Sequence, residues 1–293
     1  MSFFNETSSK PQEVSGDRGV EVLEDSTERI RLQLPGRMQE IAEGEPSVPI
    51  RVDILLPQEM SQGAPQEVVI SLHGQGADAA FDEDIAEALR EHGAIVIAPT
   101  SSRRTEFNPV ENPDFAAWMA DSFAGKGFDD EVEDFGRGVD AARQALRKQL
   151  GGSVDVRVTV LGYSLGGTMA PVVAERYPEA VDHLVLVAPS LEGLDHPEEP
   201  LAGEGRPSRE QVLTATHRIG AAVIRGDNDP FIPLEDAQAY AGTGGRVITL
   251  PDAGHTFGKI PDLPGDSENM RTQLADLIVT AVPLKGVGLS RNG

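Results

Sequence analysis

The stretch VTVLGYSLGG, Val158 to Gly167, decides how the chain is read. A β-branched apolar run, Val158, Thr159 and Val160, leads into Gly162-Tyr163-Ser164-Leu165-Gly166, and a helical pattern follows at once. A continuous apolar run of this kind marks a strand buried on both faces of a parallel sheet. The G-x-S-x-G pattern then falls on a sharp strand-to-helix turn. Such a turn lifts Ser164 Oγ above the sheet edge, and the small residues two places either side relieve crowding. The helix N-terminus that follows offers backbone N–H groups and a positive dipole end to a developing oxyanion. The five-residue pattern alone is weak, since roughly 0.2 chance matches are expected in a chain this rich in glycine and serine. Its placement between a buried strand and a helix carries the signal.

Outward from this turn the chain alternates. Strands are predicted at Arg29–Leu34, Ile50–Leu56, Glu67–His73, Ala94–Pro99, Arg157–Tyr163, His183–Ala188, Ala221–Arg225 and Arg246–Leu250. Helices are predicted over roughly Ala79–Glu91, Glu131–Gln149, Leu165–Arg176, Arg209–His217, Glu235–Ala241 and Ser267–Thr280. The first two strands have no helix-length pattern between them and are expected to pair antiparallel at one edge. From Glu67 onward, strand–helix–strand units imply right-handed crossovers and a mostly parallel, doubly wound sheet. Residues 1–18 and 282–293 read as tails, leaving residues 19–281 as one α/β domain without internal repeats. Two long connections, Ser101–Asp130 with the single tryptophan Trp118, and Ser190–Ser208, follow strand C-termini. They are candidate walls of a pocket, because open α/β sheets bind ligands at that edge.

Serine is a weak nucleophile and needs a base that is itself oriented by a carboxylate. Of six histidines, His92 and His217 sit at helix ends, His183 starts a strand, and His196 lies in a Pro/Glu-rich loop. His255 follows the last strand in a turn (LPDAGHTFG), on the side where Ser164 emerges. The carboxylate is sought after the preceding strand, where the chain reads AAVIRGDNDPFIP. Asp227 and Asp229 compete there. Pro230 biases Asp229 to an extended backbone beyond the strand, whereas Asp227 can close the turn through its own side chain. Asp229 is the assigned acid. The acidic run Asp129, Asp130, Glu131, Glu133 and Asp134 is read as a solvated helix start favoured by the dipole, with no metal site.

The order Ser164, Asp229, His255 and the segments G-D-N-D-P-F-I-P and A-G-H-T-F resemble the α/β-hydrolase family, from about Arg29 to Thr280. The resemblance implies an α/β-hydrolase fold: a mostly parallel doubly wound sheet of about eight strands, helices on both faces and no large cap domain. Ser71-Leu72-His73-Gly74-Gln75-Gly76 resembles the family's oxyanion-hole segment, which implies donors at the backbone N–H of Gln75 and Leu165. Gln75 departs from the HGGG form, which leaves Gly74 open as a donor and His73 as a structural residue. A serine nucleophile points away from the dehalogenase and epoxide-hydrolase branches. The layout most resembles small carboxylesterases and dienelactone-hydrolase-like enzymes, although dienelactone hydrolases proper use a cysteine nucleophile. The implied activity is cleavage of small-molecule acyl esters without metal or organic cofactor. Thioesterase, peptidase or acyltransferase chemistry with the same residues, or a non-catalytic hydrolase-like binding protein, stands as the alternative.

Composition constrains the setting. The chain has 293 residues, 48 acidic and 25 basic, for a net charge of −23, and no cysteine. So negative a surface repels phosphates and anionic membranes, which argues against a nucleic-acid partner. Lack of cysteine removes disulfides, thiolate metal sites and thiol nucleophiles. No apolar run approaches the length of a membrane span, and the N-terminus lacks the basic flank and apolar core of a signal peptide; a cytoplasmic location is expected. Of the 25 basic residues only five are lysines, Lys10, Lys126, Lys148, Lys259 and Lys285. Abundant carboxylates with scarce lysine predict a halophilic protein, whose self-repulsion is screened by concentrated salt; the alternative is an ordinary acidic protein from a GC-rich genome, which also favours Arg over Lys. Circular dichroism across a KCl titration tests this. Folding that is gained toward molar KCl is expected, and folding unchanged from dilute buffer contradicts it.

Overall fold

Gln66–Leu72 has all seven residues buried, as a strand covered on both sides must. Around it the computed structural model of the chain builds one mixed sheet. The structure describes residues 20–35, 49–60, 65–74, 83–100, 114, 117, 118, 127–150, 156–176, 181–191, 194, 206–258 and 268–284. The strands are β1 (Glu21–Asp25), β2 (Arg29–Leu34), β3 (Ile50–Leu55), β4 (Gln66–Leu72), β5 (Ile95–Pro99), β6 (Val156–Tyr163), β7 (His183–Val187), β8 (Ala221–Gly226) and β9 (Arg246–Leu250). Their spatial order is β1-β2-β3-β5-β4-β6-β7-β8-β9. The β1–β2, β2–β3 and β3–β5 pairs are antiparallel, and the rest of the sheet is parallel. The sheet is open, and this is the α/β-hydrolase arrangement.

The helices are α1 (Glu83–Glu91), α2 (Phe128–Leu150), α3 (Leu165–Arg176), α4 (Arg209–Ile219), α5 (Leu234–Ala241) and α6 (Glu268–Ala281). Strand side chains alternate between faces, so Val68, Ile70 and Leu72 of β4 join one core while Val69 joins the other. The first core packs α2, α3, α4 and α5, and the second packs α1 and α6. Local signals agree with these elements. In α2 the buried residues Phe128, Val132, Phe135, Val139, Ala142 and Leu146 recur at helical spacing. Ser208 caps α4 in a capping box with Gln211, which satisfies two otherwise orphaned N–H groups.

Topology locates the reactive edge. β4 lies between β5 and β6; the chain leaving β4 reaches α1 on one face, and the chain leaving β6 enters α3 on the other. The crevice opens where adjacent strands send their connections to opposite faces. Ser164 follows β6 at that point.

The structure amends three sequence expectations and leaves a fourth outside the described residues. A ninth strand, β1, pairs with β2 at the antiparallel edge. Val282 and Leu284, expected to lie in the C-terminal tail, are buried against the α1/α6 core. The acidic start of α2 is only partly solvated, because Glu131 and Asp134 are buried. Trp118 is buried, whereas most of the Ser101–Asp130 and Ser190–Ser208 connections, and residues 1–18, lie outside the described residues.

At the opposite edge, Glu67 of β4 is buried and its Oε1 accepts a 2.7 Å hydrogen bond from Thr159 Oγ1. Arg157 Nε stands 3.2 Å from Oε2. Burial pushes the Glu67 carboxyl up to about 7, against the opposing pull of Thr159 and Arg157 and with help from Asp182. Because the folded value lies above the ordinary one, protonation favours folding. The stabilisation is complete below the unfolded pKa and is lost as pH rises through about 7. Glu67→Gln is expected to raise stability at pH 8 by about 1 kcal/mol and flatten its decline between pH 5 and 8. Urea melts across that range check it, and an unaltered pH profile contradicts it.

Candidate active site

The turn at Ser164 is shaped by backbone contact. Ser164 has φ +50°, a conformation that non-glycine residues adopt only when their surroundings enforce it. Its N–H donates to Val187 O of β7 at 2.8 Å, and its carbonyl accepts from Thr168 N at 3.1 Å. The flanking glycines are required sterically. A β-carbon on Gly162 would stand 2.3 Å from Gly166 O, and one on Gly166 would stand 2.1 Å from Leu72 O. Backbone rather than side chain occupies both places, so even alanine would push α3 away from β6 and β4.

Three strand ends bring the polar groups together. His255 follows β9, and its Nε2 lies 3.0 Å from Ser164 Oγ. Its Nδ1 lies 2.9 Å from Asp229 Oδ2, after β8. The Asp229 side chain is wholly shielded from solvent, and its Oδ1 accepts from Phe231 N at 2.9 Å and Ile232 N at 3.2 Å. A carboxylate held by backbone donors on one oxygen presents the other in a fixed direction. With Oδ2 as acceptor, His255 Nδ1 carries its proton, and Nε2 is left to accept from the serine hydroxyl. Asp227 is exposed, and its backbone N–H ties the acid loop to Leu250 O at 3.1 Å.

The sequence-predicted oxyanion residues are placed unequally. Leu165 opens α3 beside Ser164, where the first helical N–H groups have no intrahelical acceptor. Gln75 lies outside the described residues. Gly74, the other candidate donor, stands against the serine, with a built β-carbon 3.3 Å from Ser164 Cβ. His73 is buried, with Nδ1 2.9 Å from Gly74 O and its ring edge-on to Phe135, which fits a structural residue. Among the remaining histidines, His92 hydrogen-bonds to the carbonyl of Ala88 one turn earlier and His217 to that of Ala239 on α5. Burial, with Arg246 nearby, lowers the His183 pKa. His196 lies outside the described residues.

Three further residues build the site without having been singled out in the sequence. The Tyr163 hydroxyl donates to His255 O at 2.6 Å, and its ring meets Phe257 edge-on. Arg225, buried at the end of β8, donates from Nε to Ile232 O at 3.1 Å and so braces the loop that carries Asp229. Phe231 places its ring 5.1 Å from that of His255. The legible signals were a tyrosine and an arginine interrupting otherwise apolar strands, since buried polar groups persist only with partners. A separate cavity of about 310 Å³ near Ser26 and Arg29 lies at the opposite sheet edge, and Arg29 there is already paired with Glu83 and Glu87.

Residues 67–211 match a family model described as alpha/beta hydrolase fold. Among curated proteins, none matches the sequence. Solved structures with the same fold include a dienelactone hydrolase from Anabaena variabilis, 19% identical, with TM-score 0.51 over 82% of this chain and 93% of that one. A thermostable carboxyl esterase from Bacillus coagulans is 14% identical, with TM-score 0.54 over 88% of this chain and 100% of that one. An esterase from Pyrobaculum calidifontis is 18% identical, with TM-score 0.52 over 87% and 84%.

Tyr163→Phe removes the donor to a carbonyl at the heart of this loop. Chemical denaturation is expected to show a loss of about 1–2 kcal/mol, the usual cost of an unpaired buried acceptor. A change below about 0.3 kcal/mol would mean that the hydrogen bond contributes nothing to the folded state.

Proposed function

We propose, from the premise that this chain has the α/β-hydrolase fold, that the protein is a serine hydrolase cleaving carboxylic esters through an acyl-enzyme. The observation that carries the reading is the unbroken chain Ser164 Oγ, His255, Asp229, with links of 3.0 and 2.9 Å, mounted on a turn of φ +50°. The esterases and the dienelactone hydrolase that share the fold support the same class of chemistry.

In this reading His255 Nε2 removes the Ser164 proton as Oγ attacks the ester carbonyl. Asp229 holds the imidazole in the needed tautomer and stabilises the imidazolium that forms. The carbonyl oxygen becomes an oxyanion that accepts from the N–H of Leu165 and of Gln75 or Gly74. As the tetrahedral intermediate collapses, the carbonyl–alkoxy bond breaks and His255 gives its proton to the departing alcohol. Water then enters, loses a proton to His255 and attacks the acyl carbon. The second collapse releases the acid and returns the proton to Ser164.

Assays of short p-nitrophenyl esters in molar KCl test the assignment. Ser164→Ala is expected to lower kcat by about a thousandfold or more, and retention within about tenfold of wild type would refute the nucleophile. Asp229→Asn is expected to cost about 10²–10⁴-fold, because the amide oxygen stays on the Phe231 and Ile232 N–H groups and the amide NH2 then faces Nδ1, which favours the wrong imidazole tautomer. Asp227→Asn should stay within about threefold. The reverse ranking would transfer the acid role to Asp227.

A further inference from the structure

Large apolar side chains exposed among the described residues fall into two groups. Val20, Val22 and Leu23 lie on or beside the edge strand β1, remote from any reactive group. Phe231 and Leu234 lie in the loop after Asp229 and at the start of α5, with 53% and 43% of their surfaces exposed. Between them Ile232 is fully buried, so the segment is fixed in place while these two side chains remain outside the core. The Phe231 N–H bond to Asp229 Oδ1 and the Ile232 carbonyl bond from Arg225 hold it from both sides. Apolar surface presented on a rigid support beside polar reactive groups is what a small-molecule site requires.

We propose that Phe231, with Leu234 three residues further along the same segment, forms the wall that receives the leaving alcohol of the ester, so that esters of aromatic or longer apolar alcohols are preferred. The inference rests on the serine-hydrolase reading above and adds its substrate class. The position follows from proton transfer. His255 must deliver its proton to the alkoxy oxygen, which therefore lies about 3 Å from Nε2 at the moment of cleavage. The Phe231 ring meets the same imidazole edge-on, with centroids 5.1 Å apart and planes at 76°. A leaving group whose oxygen is at Nε2 therefore starts no more than about 9 Å from the centre of that ring, and its first few carbon atoms can reach the roughly 4.5–7 Å span of aromatic contact. The acyl carbon remains on Ser164 Oγ, with its oxygen directed at the α3 N-terminus, so the acyl chain is not the part that follows the imidazole. Phe231 is also pre-positioned by its backbone hydrogen bond, which limits the ordering required on binding.

The test compares butyrate esters of ethanol, butan-1-ol and benzyl alcohol, read as kcat/KM, a quantity that covers every step up to departure of the alcohol. Wild type is expected to favour the benzyl and butyl esters. In Phe231→Ala the benzyl-to-ethyl ratio should fall about tenfold, and in Leu234→Ala the butyl-to-ethyl ratio about threefold or more. Phe231→Leu should restore part of the lost preference. Over p-nitrophenyl acetate, butyrate and octanoate, which vary the acyl chain alone, the profile should keep its shape in all variants. An equal loss on all three alcohols would overturn the proposal and assign Phe231 to shielding His255 from water. A changed acyl profile with an unchanged alcohol ratio would overturn it in favour of an acyl wall. The underlying reading is checked separately by ethyl butyrate turnover in wild type and its loss in Ser164→Ala. If wild type cleaves no ester, both fail; if it does and alcohol selectivity is indifferent to Phe231 and Leu234, only the leaving-group wall fails.

Discussion

The backbone of β4, β6 and the first turn of α3 converge so closely that no β-carbon fits between them, and the rest of the site depends on this. Gly162 and Gly166 stand where any side chain would collide with a carbonyl. That close approach forces Ser164 to φ +50°, a strain on the order of 1–3 kcal/mol. The sheet supports it through the Ser164 N–H bond to Val187 O and through the β4–β6 register that runs from Gln66↔Val156 to Leu72↔Gly162. A serine in an unstrained strand or helix would lie flat against its neighbours. Here the hydroxyl is lifted to the crevice where connections part to opposite faces.

The partners are positioned with the same economy. The Asp229 and His255 loops leave adjacent parallel strands and are stitched together by Asp227 N to Leu250 O and Asn228 N to Ala253 O. The histidine loop carries Asp252 at φ +58° and Phe257 at φ +49°, and Phe257 is completely buried beneath it. Tyr163, the residue immediately before Ser164, donates to His255 O. The Ser164 turn and the His255 loop are therefore coupled twice, once between the side chains of Ser164 and His255 and once through the Tyr163 hydroxyl and the His255 carbonyl.

Much of this was legible because its causes are local. Continuous runs such as LVLVA and AAVI read as strands covered on both faces, and Leu184–Val187 and Ala221–Ile224 lie in β7 and β8. The strand-to-helix turn was legible because its glycines and serine are spaced by sterics. Preference for Asp229 over Asp227 rested on Pro230, and the structure buries Asp229 and exposes Asp227. Strand β1 was illegible: EVLED has four residues exposed and none fully buried, so no inward-facing apolar set distinguishes it from a loop. Its pairing with β2 is a tertiary fact. Arg225 and Tyr163 were passed over because their partners, Ile232 O and His255 O, are backbone groups on other segments, and sequence spacing says nothing about them. Glu131 and Asp134 misled for the opposite reason, since helix-start chemistry explains their position but not their burial.

The charge of −23 and the candidate site belong to different parts of the molecule, because Asp229 is shielded and bonded to His255 while most of the described carboxylates are exposed or half-buried. The central claim concerns one oxygen atom. The direct measurement is peptide mapping by mass spectrometry after treating the folded protein, in molar KCl, with a fluorophosphonate, which phosphonylates only an activated hydroxyl with loss of fluoride. One stoichiometric adduct is expected, on Ser164, greatly diminished in a folded His255→Ala variant. A folded wild-type protein that stays unmodified, or that carries its adduct on another serine, would contradict it.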